Sequence, residues 1–169
     1  MAEGKSSEPS GLPLRLPDEL LEKSGFLLVR LAMGFKARAI AVLEDAGYSQ
    51  YHYSVLAVLG EQPRRTQAKI AEALEVDPSQ LVGILDALED RGLVDRQRDP
   101  HDRRRHVVSL TAKGRKQLVR LRGLIDAMED DLFTPLDAAT RKQFHETLLQ
   151  LVGYHDPRGP DGPCRPAPC

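Results

Sequence analysis

One stretch limits this chain more than any other. It runs from Asp77 to Thr111 and reads DPSQLVGILDALEDRGLVDRQRDPHDRRRHVVSLT. Its first half carries Leu81, Ile84, Leu85 and Leu88 at i, i+3, i+4, i+7 spacing, the single apolar stripe of a helix that buries one face. Asp77 is a good N-cap and Pro78 suits the first helical position. Gln80 stands where it would close a capping box back onto Asp77. Gly92 stops the helix. Two runs of strand character follow, Leu93 to Arg98 and His106 to Leu110, joined by residues 99–105. Pro100 and its neighbouring aspartates favour a turn, and Pro100 does not suit a paired central strand. A short helix with polar residues at its start, followed by a hairpin with an arginine-rich tip, is suited to duplex DNA. The helix fits a major groove, and the arginines can reach phosphates or a narrow minor groove.

Charge is distributed in keeping with that. The whole chain of 169 residues has a formal net charge of −1, so no global field announces nucleic acid. Between Arg96 and Arg122, however, ten Lys or Arg (96, 98, 103, 104, 105, 113, 115, 116, 120, 122) face only Asp99 and Asp102, a local excess of +8. A basic stripe of this kind is the electrostatic footprint of a DNA-binding surface. Charge alone also fits a solvated helix face; charge beside the hairpin points to DNA.

Several function classes find no support. No run of 18 or more apolar residues exists, so no membrane span is expected. The start, MAEGKSSEPSG, lacks the apolar segment of a secretory signal, and a cytoplasmic location follows as the expectation. The two cysteines, Cys164 and Cys169, both lie in the last six residues, so no disulfide framework holds the fold. The five histidines (52, 101, 106, 145, 155) show no metal-ligand spacing on a core helix, and no metal or cofactor is expected. Without a Gly-rich phosphate loop, a nucleophile elbow or a paired carboxylate, the chain does not read as an enzyme.

In chain order, residues 1–15 and 156–169 are rich in Ser, Pro, Gly and charge and read as disordered tails around a domain of residues 16–155. A long helical pattern runs from Pro17 to about Glu44, with an apolar band too wide for one buried face. Ser49 can cap a helix over 50–59, with Tyr53, Leu56, Ala57 and Leu59 or Gly60 inward. Thr66 can cap Gln67 to Leu74, with Ile70 and Leu74 inward. That helix, the link Glu75-Val76-Asp77 and the helix Pro78–Asp90 make a helix-turn-helix pair. Thr111 can cap a long helix from Ala112 to about Leu132. After Pro135, a last helix starts at Asp137 or Thr140 and carries Phe144, Leu148, Leu151 and Val152. From Gly123 to His155 six acids oppose Arg141 and Lys142, so these distal helices should point away from DNA.

Roles follow from placement. Ser79 and Gln80 lie at the start of the second helix of the pair, off the apolar stripe, where they can donate and accept at base edges; capping is the plainer alternative. Val82 and Gly83 share that outer face, and Val82 can touch a thymine methyl. Arg103, Arg104 and Arg105 occupy the hairpin tip, where a charged loop touching only phosphates is the plainer alternative. Arg64, Arg65, Thr66, Gln67 and Lys69 can contact the DNA backbone, which sets register without reading sequence. Asp77 and Asp102 are the acids expected to brace this region, Asp77 by pairing with Arg104.

The segment GLVDRQRDPHDRRRHVVSLTAKGR resembles the winged-helix signature of the multiple-antibiotic-resistance regulator (MarR) family. The matching pieces are Gly92-Leu93-Val94, Arg96, Asp99-Pro100, Asp102-Arg103-Arg104, Ser109-Leu110-Thr111 and Gly114-Arg115. Less sharply, the likeness extends from about Pro17 to Gly153. It implies a mainly α fold with a small β-hairpin wing: a winged helix-turn-helix over about 48–111, with dimerisation helices at about 17–46 and 112–153. It further implies a homodimer on double-stranded DNA, with Arg104 entering the minor groove and Asp102 bracing the turn. Family members often carry arginines where Gly83 and Ala87 stand here. The resemblance also implies a ligand cleft, with Arg30 and Phe35 from the first long helix, Tyr51 and His52 from the next, and Phe26, Tyr48 and Val55 nearby. The aromatic and basic mixture suits a small aromatic or carboxylate ligand, and ordinary packing accounts for it equally.

The expectation is thus a ligand-responsive repressor that binds a pseudo-palindromic operator as a homodimer. The rival is a winged-helix module that binds another protein without sequence-specific DNA binding.

Overall fold

The computed structural model describes residues 15–98 and 106–155. Two units divide the chain, residues 1–38 and 39–169.

In the first unit, α1 (Asp18–Leu21) is a single turn and α2 (Ser24–Asp45) begins after a break. One helix from Pro17 to Glu44 is therefore not what forms. Ser24 and Gly25 stand side by side, and both favour helix ends or loops over helix interiors. The Lys23 amide bonds back to the Leu20 carbonyl at 3.2 Å, closing the short turn. Leu27, Leu28, Val29, Leu31 and Met33 of α2 are exposed, as are Leu20 and Leu21 of α1.

The second unit receives the last turn of α2 and continues with α3 (Gln50–Glu61), β1 (Arg65–Thr66), α4 (Gln67–Leu74) and α5 (Pro78–Asp90). The strands β2 (Val94–Arg98) and β3 (His106–Leu110) follow, then α6 (Ala112–Leu132) and α7 (Ala138–His155). Gly47 (φ +82°) ends α2 and Gly92 (φ +68°) ends the turn after α5, both in the left-handed region that favours glycine. Ser49, Thr66, Asp77 and Thr111 cap α3, α4, α5 and α6 as expected. At α5, though, the expected box with Gln80 does not form. Asp77 instead accepts from the Ser79 amide at 2.8 Å and from the Ser79 hydroxyl, so its carboxylate caps at Ser79 rather than at the backbone amide of Gln80 that a box would use.

The core is one cluster. Val55, Leu56, Leu59, Ile70, Leu81, Leu85, Leu88, Leu93, Val108 and Leu121 are its fully buried members, and Leu43 and Leu118 join it. Burying each such side chain stabilises by roughly 1.5–3 kcal/mol, so this cluster fixes α5 through all four residues of its stripe. The sheet is three-stranded and antiparallel in the order β1-β3-β2. β2 and β3 pair from Val94↔Leu110 to Arg98↔His106. The third strand is not expected from the sequence. Arg65 and Thr66 pair with Val108 and Val107, so they belong to the edge of the sheet as well as to the approach to α4.

Candidate nucleic-acid interface

The side of α5 opposite the core is built by default. Once Leu81, Ile84, Leu85 and Leu88 turn inward, the residues between them must face solvent. Ser79, Gln80, Val82 and Gly83 are accordingly exposed, Val82 at 44%. Asp77 sets the helix start. Its carboxyl is held below the usual carboxylate range, first by the Ser79 hydroxyl and then by backbone amides, so it stays ionised and capping. A carboxylate at the N-terminus complements the positive end of the helix dipole.

Gly83 has no intramolecular explanation. A methyl group built there would meet nothing within 4 Å beyond its chain neighbours and its own helix backbone. Its φ is not in the positive range. A glycine inside a helix is less favourable than alanine by about 1 kcal/mol, and here no packing gain offsets that.

Next to this face lies an open hollow of about 410 Å³, lined by Gln67, Val82, Glu89, Arg96 and His106. It brings together the first residue of α4, the outer face of α5 and both hairpin strands. Glu89 in the lining and Asp86, three residues before it on α5, share one cation. Arg96 of β2 reaches Asp86 at 2.6 Å and donates through Nε to Glu89 at 2.8 Å, with a second bond from its Nη2 to the same carboxylate. The bond to Glu89 raises the Arg96 pKa further. The basic stripe counted in the sequence is thus partly consumed inside the fold. Besides Arg96, Lys113 donates to the Arg91 carbonyl at 2.6 Å and Arg115 to the Leu110 carbonyl at 2.9 Å. These bonds tie the end of α5 and the end of β3 to the start of α6.

The backbone-contact candidates sit where the sequence puts them, with some of their chemistry already engaged. Thr66 Oγ1 accepts from the Lys69 amide at 3.4 Å, and Arg65 Nε donates to Gln62 at 2.8 Å. Arg64 and Lys69 are exposed, and Gln67 is half-buried at the hollow. Asp102, Arg103, Arg104 and Arg105, with the pairing expected between Asp77 and Arg104, lie outside the described residues.

The four residues expected near a ligand fall in different units. Arg30 is exposed and Phe35 half-buried on α2 in the first. In the second, Tyr51 is exposed and His52 works structurally. His52 Nδ1 accepts from the Ser49 amide at 3.0 Å while Ser49 Oγ accepts from the His52 amide at 3.2 Å, a reciprocal capping box. Burial first, and Arg91 second, lower the His52 pKa. Accepting at Nδ1 requires the neutral ring with its proton on Nε2. Val55, placed near the cleft by resemblance, is fully buried in the core.

Two residues were not foreseen in the sequence. His106 lines the hollow from the first position of β3. Its signal was available, since strand alternation puts His106 opposite in facing to the buried Val107. Arg91, at the C-cap of α5, donates to the Gly47 carbonyl at 2.7 Å. No local pattern links positions 44 residues apart. Among the described residues there is no cluster of metal-ligating side chains, and no helix is long and apolar enough to cross a membrane.

The sequence model of the MarR family matches residues 49–106. A putative transcriptional regulatory protein for the hcr operon of Thauera aromatica is 32% identical over 118 residues, which cover 70% of this chain and 69% of the relative. The transcriptional repressor CouR, solved bound to a 23-mer DNA duplex, superposes with a TM-score of 0.70 at 33% identity, over 82% of this chain and 99% of that one. CouR from Rhodococcus jostii RHA1 bound to p-coumaroyl-CoA superposes with a TM-score of 0.64, over 79% and 94%.

Proposed function

The chain belongs to the MarR family of transcriptional regulators, and from that premise we propose that it is a ligand-responsive repressor reading a pseudo-palindromic operator as a homodimer. One observation carries the reading. The face of α5 bearing Ser79, Gln80, Val82 and Gly83 is exposed beside the hairpin strands while its other face is locked in the core. Ser79 and Gln80 offer hydrogen bonds to base edges. Arg64, Arg65, Thr66, Gln67 and Lys69 hold phosphates, and Arg103, Arg104 and Arg105 extend the contact from the wing, Arg104 into a minor groove. Asp77 and Asp102 keep the helix start and wing in place.

A second copy covers the apolar surface that one chain leaves open. Leu27, Leu28, Leu31 and Met33 of α2, and Leu149, Leu151, Val152 and Tyr154 of α7, are all exposed. Two reading helices then fall about one turn of DNA apart. The inducer is a small aromatic or carboxylate compound; the relative CouR has been solved bound to p-coumaroyl-CoA, whose acyl group is aromatic. The protein works in the cytoplasm, as a regulator and not as a catalyst. Titration of the full chain with duplexes selected from a random library, at several salt concentrations, tests this. Selective, salt-dependent binding by a dimer is expected; equal affinity for every duplex would overturn it.

A further inference from the structure

Resting on that reading, we infer that Val82 is a specificity-determining residue of α5 beside Gln80, seating against the C5 methyl of a thymine, and that Gly83 is present so that the helix backbone can approach the base edges. Each operator half-site is accordingly read through A·T pairs under this helix.

Three observations converge. From Pro78 to Asp90, α5 contains no Arg or Lys. The commonest specific contact, a cation to the O6 and N7 of guanine, is thus not available from the helix. What it exposes instead is Gln80, whose amide matches adenine, and Val82, an apolar β-branched side chain that the core leaves outside. The major-groove edge offers donors, acceptors and one apolar group, the thymine methyl.

Gly83 supplies the second observation. Neither its φ nor any neighbouring atom requires glycine, so the reason lies outside the monomer. A residue without a side chain, next to one with a short apolar side chain, lets a partner come closer than any larger pair would.

The third is electrostatic. Asp86 stands four residues after Val82, hence on the same face, and Glu89 lines the same hollow. Left bare, both carboxylates would repel phosphates and the acceptor atoms of the bases. Arg96 pairs with both, which cuts their combined charge beside Val82 from −2 to −1.

The test starts from a duplex selected from a random library by the full wild-type chain. Each thymine is replaced by deoxyuridine, which removes only the methyl. We expect one position per half-site where wild type loses about fourfold in affinity, the effect of burying one methyl group. Val82→Ala should bind the selected duplex more weakly and be indifferent to deoxyuridine there, whereas Val82→Thr, which keeps one methyl, should remain sensitive. Gly83→Ala should lose about tenfold or more on the selected duplex, the effect of one lost base contact, while its melting temperature stays level or rises. If wild type tolerates deoxyuridine everywhere, if Val82→Ala stays sensitive, or if Gly83→Ala binds as wild type does, the inference is wrong although the regulator reading stands. If no duplex is preferred at all, that reading fails and takes the inference with it.

Discussion

Arg91 Nη1 donates to the Gly47 carbonyl at 2.7 Å, and its guanidinium lies 4.8 Å from the centre of the Tyr48 ring. One side chain at the end of α5 thereby holds the turn that enters α3. A charge-assisted bond and a cation–π contact together stabilise by about 1–2 kcal/mol at a site like this. Arg91→Ala should lower unfolding free energy by that amount in urea. Tyr48→Leu should remove part of the same energy, so the double variant should fall short of the sum by about 0.5 kcal/mol or more. Strict additivity would mean the ring and the guanidinium do not interact.

Arg96 pairs with two acids on α5 at once, Asp86 and Glu89. Arg96→Met keeps the stem and removes the cation. Its stability should fall by about 1 kcal/mol, since both carboxylates are partly solvated. DNA affinity should fall further than loss of one phosphate contact explains, because two bare acids then border the reading face. Adding Asp86→Asn and Glu89→Gln to Arg96→Met should recover most of that affinity; failure to recover would place Arg96 itself on the DNA.

Gly114 contrasts with Gly83. A methyl group at Gly114 would lie 2.0 Å from the Leu93 carbonyl oxygen and 2.9 Å from its carbon, both backbone atoms that cannot yield. Gly114→Ala should therefore destabilise by about 3 kcal/mol through overpacking, read as a lowered melting temperature, whereas Gly83→Ala should not destabilise. Equal melting temperatures for the two variants would contradict the close approach of α6 to Leu93.

His52 makes the fold acid-sensitive. Its folded pKa lies below the ordinary 6.5 through burial and the Arg91 charge, so the unfolded chain takes up its proton first as pH falls. The stability held by the neutral ring is complete above about pH 6.5 and is lost progressively as pH falls toward the lowered folded value. Melting temperature should drop across that window, and His52→Asn should flatten this part of the profile. An unchanged slope would remove His52 as its source.

What the sequence reveals and conceals follows from range. α5 is legible from end to end, because cap, stripe and stop all lie in the short run from Asp77 to Gly92, and its four stripe residues are all buried. β1 is not, since two residues, Arg65 and Thr66, show no alternation and are strand only by pairing with β3. The break before α2 hides because the apolar band continues across Ser24 and Gly25. Charge counting finds Arg96 but misreads it as a surface cation, since its partners Asp86 and Glu89 precede the counted window. At the site, exposure of Ser79, Gln80, Val82 and Gly83 follows from the stripe alone, while the hollow shared with His106 depends on how the hairpin packs.

The most direct test of the account is titration of the full chain against its selected duplex and a scrambled one over a salt series, with Lys69→Ala, Gln80→Ala, Val82→Ala and Arg104→Ala beside wild type. Wild type should prefer the selected duplex by about 1,000-fold or more. Lys69→Ala should weaken both duplexes alike and flatten the salt dependence by about one unit per subunit. Arg104→Ala should flatten it similarly and cost the selected duplex more, by roughly 1–3 kcal/mol. Gln80→Ala should leave the salt slope unchanged and relax the preference at one base per half-site. Equal affinity of wild type for the two duplexes, or base preferences untouched by both Gln80→Ala and Val82→Ala, would contradict the claim that α5 reads the operator.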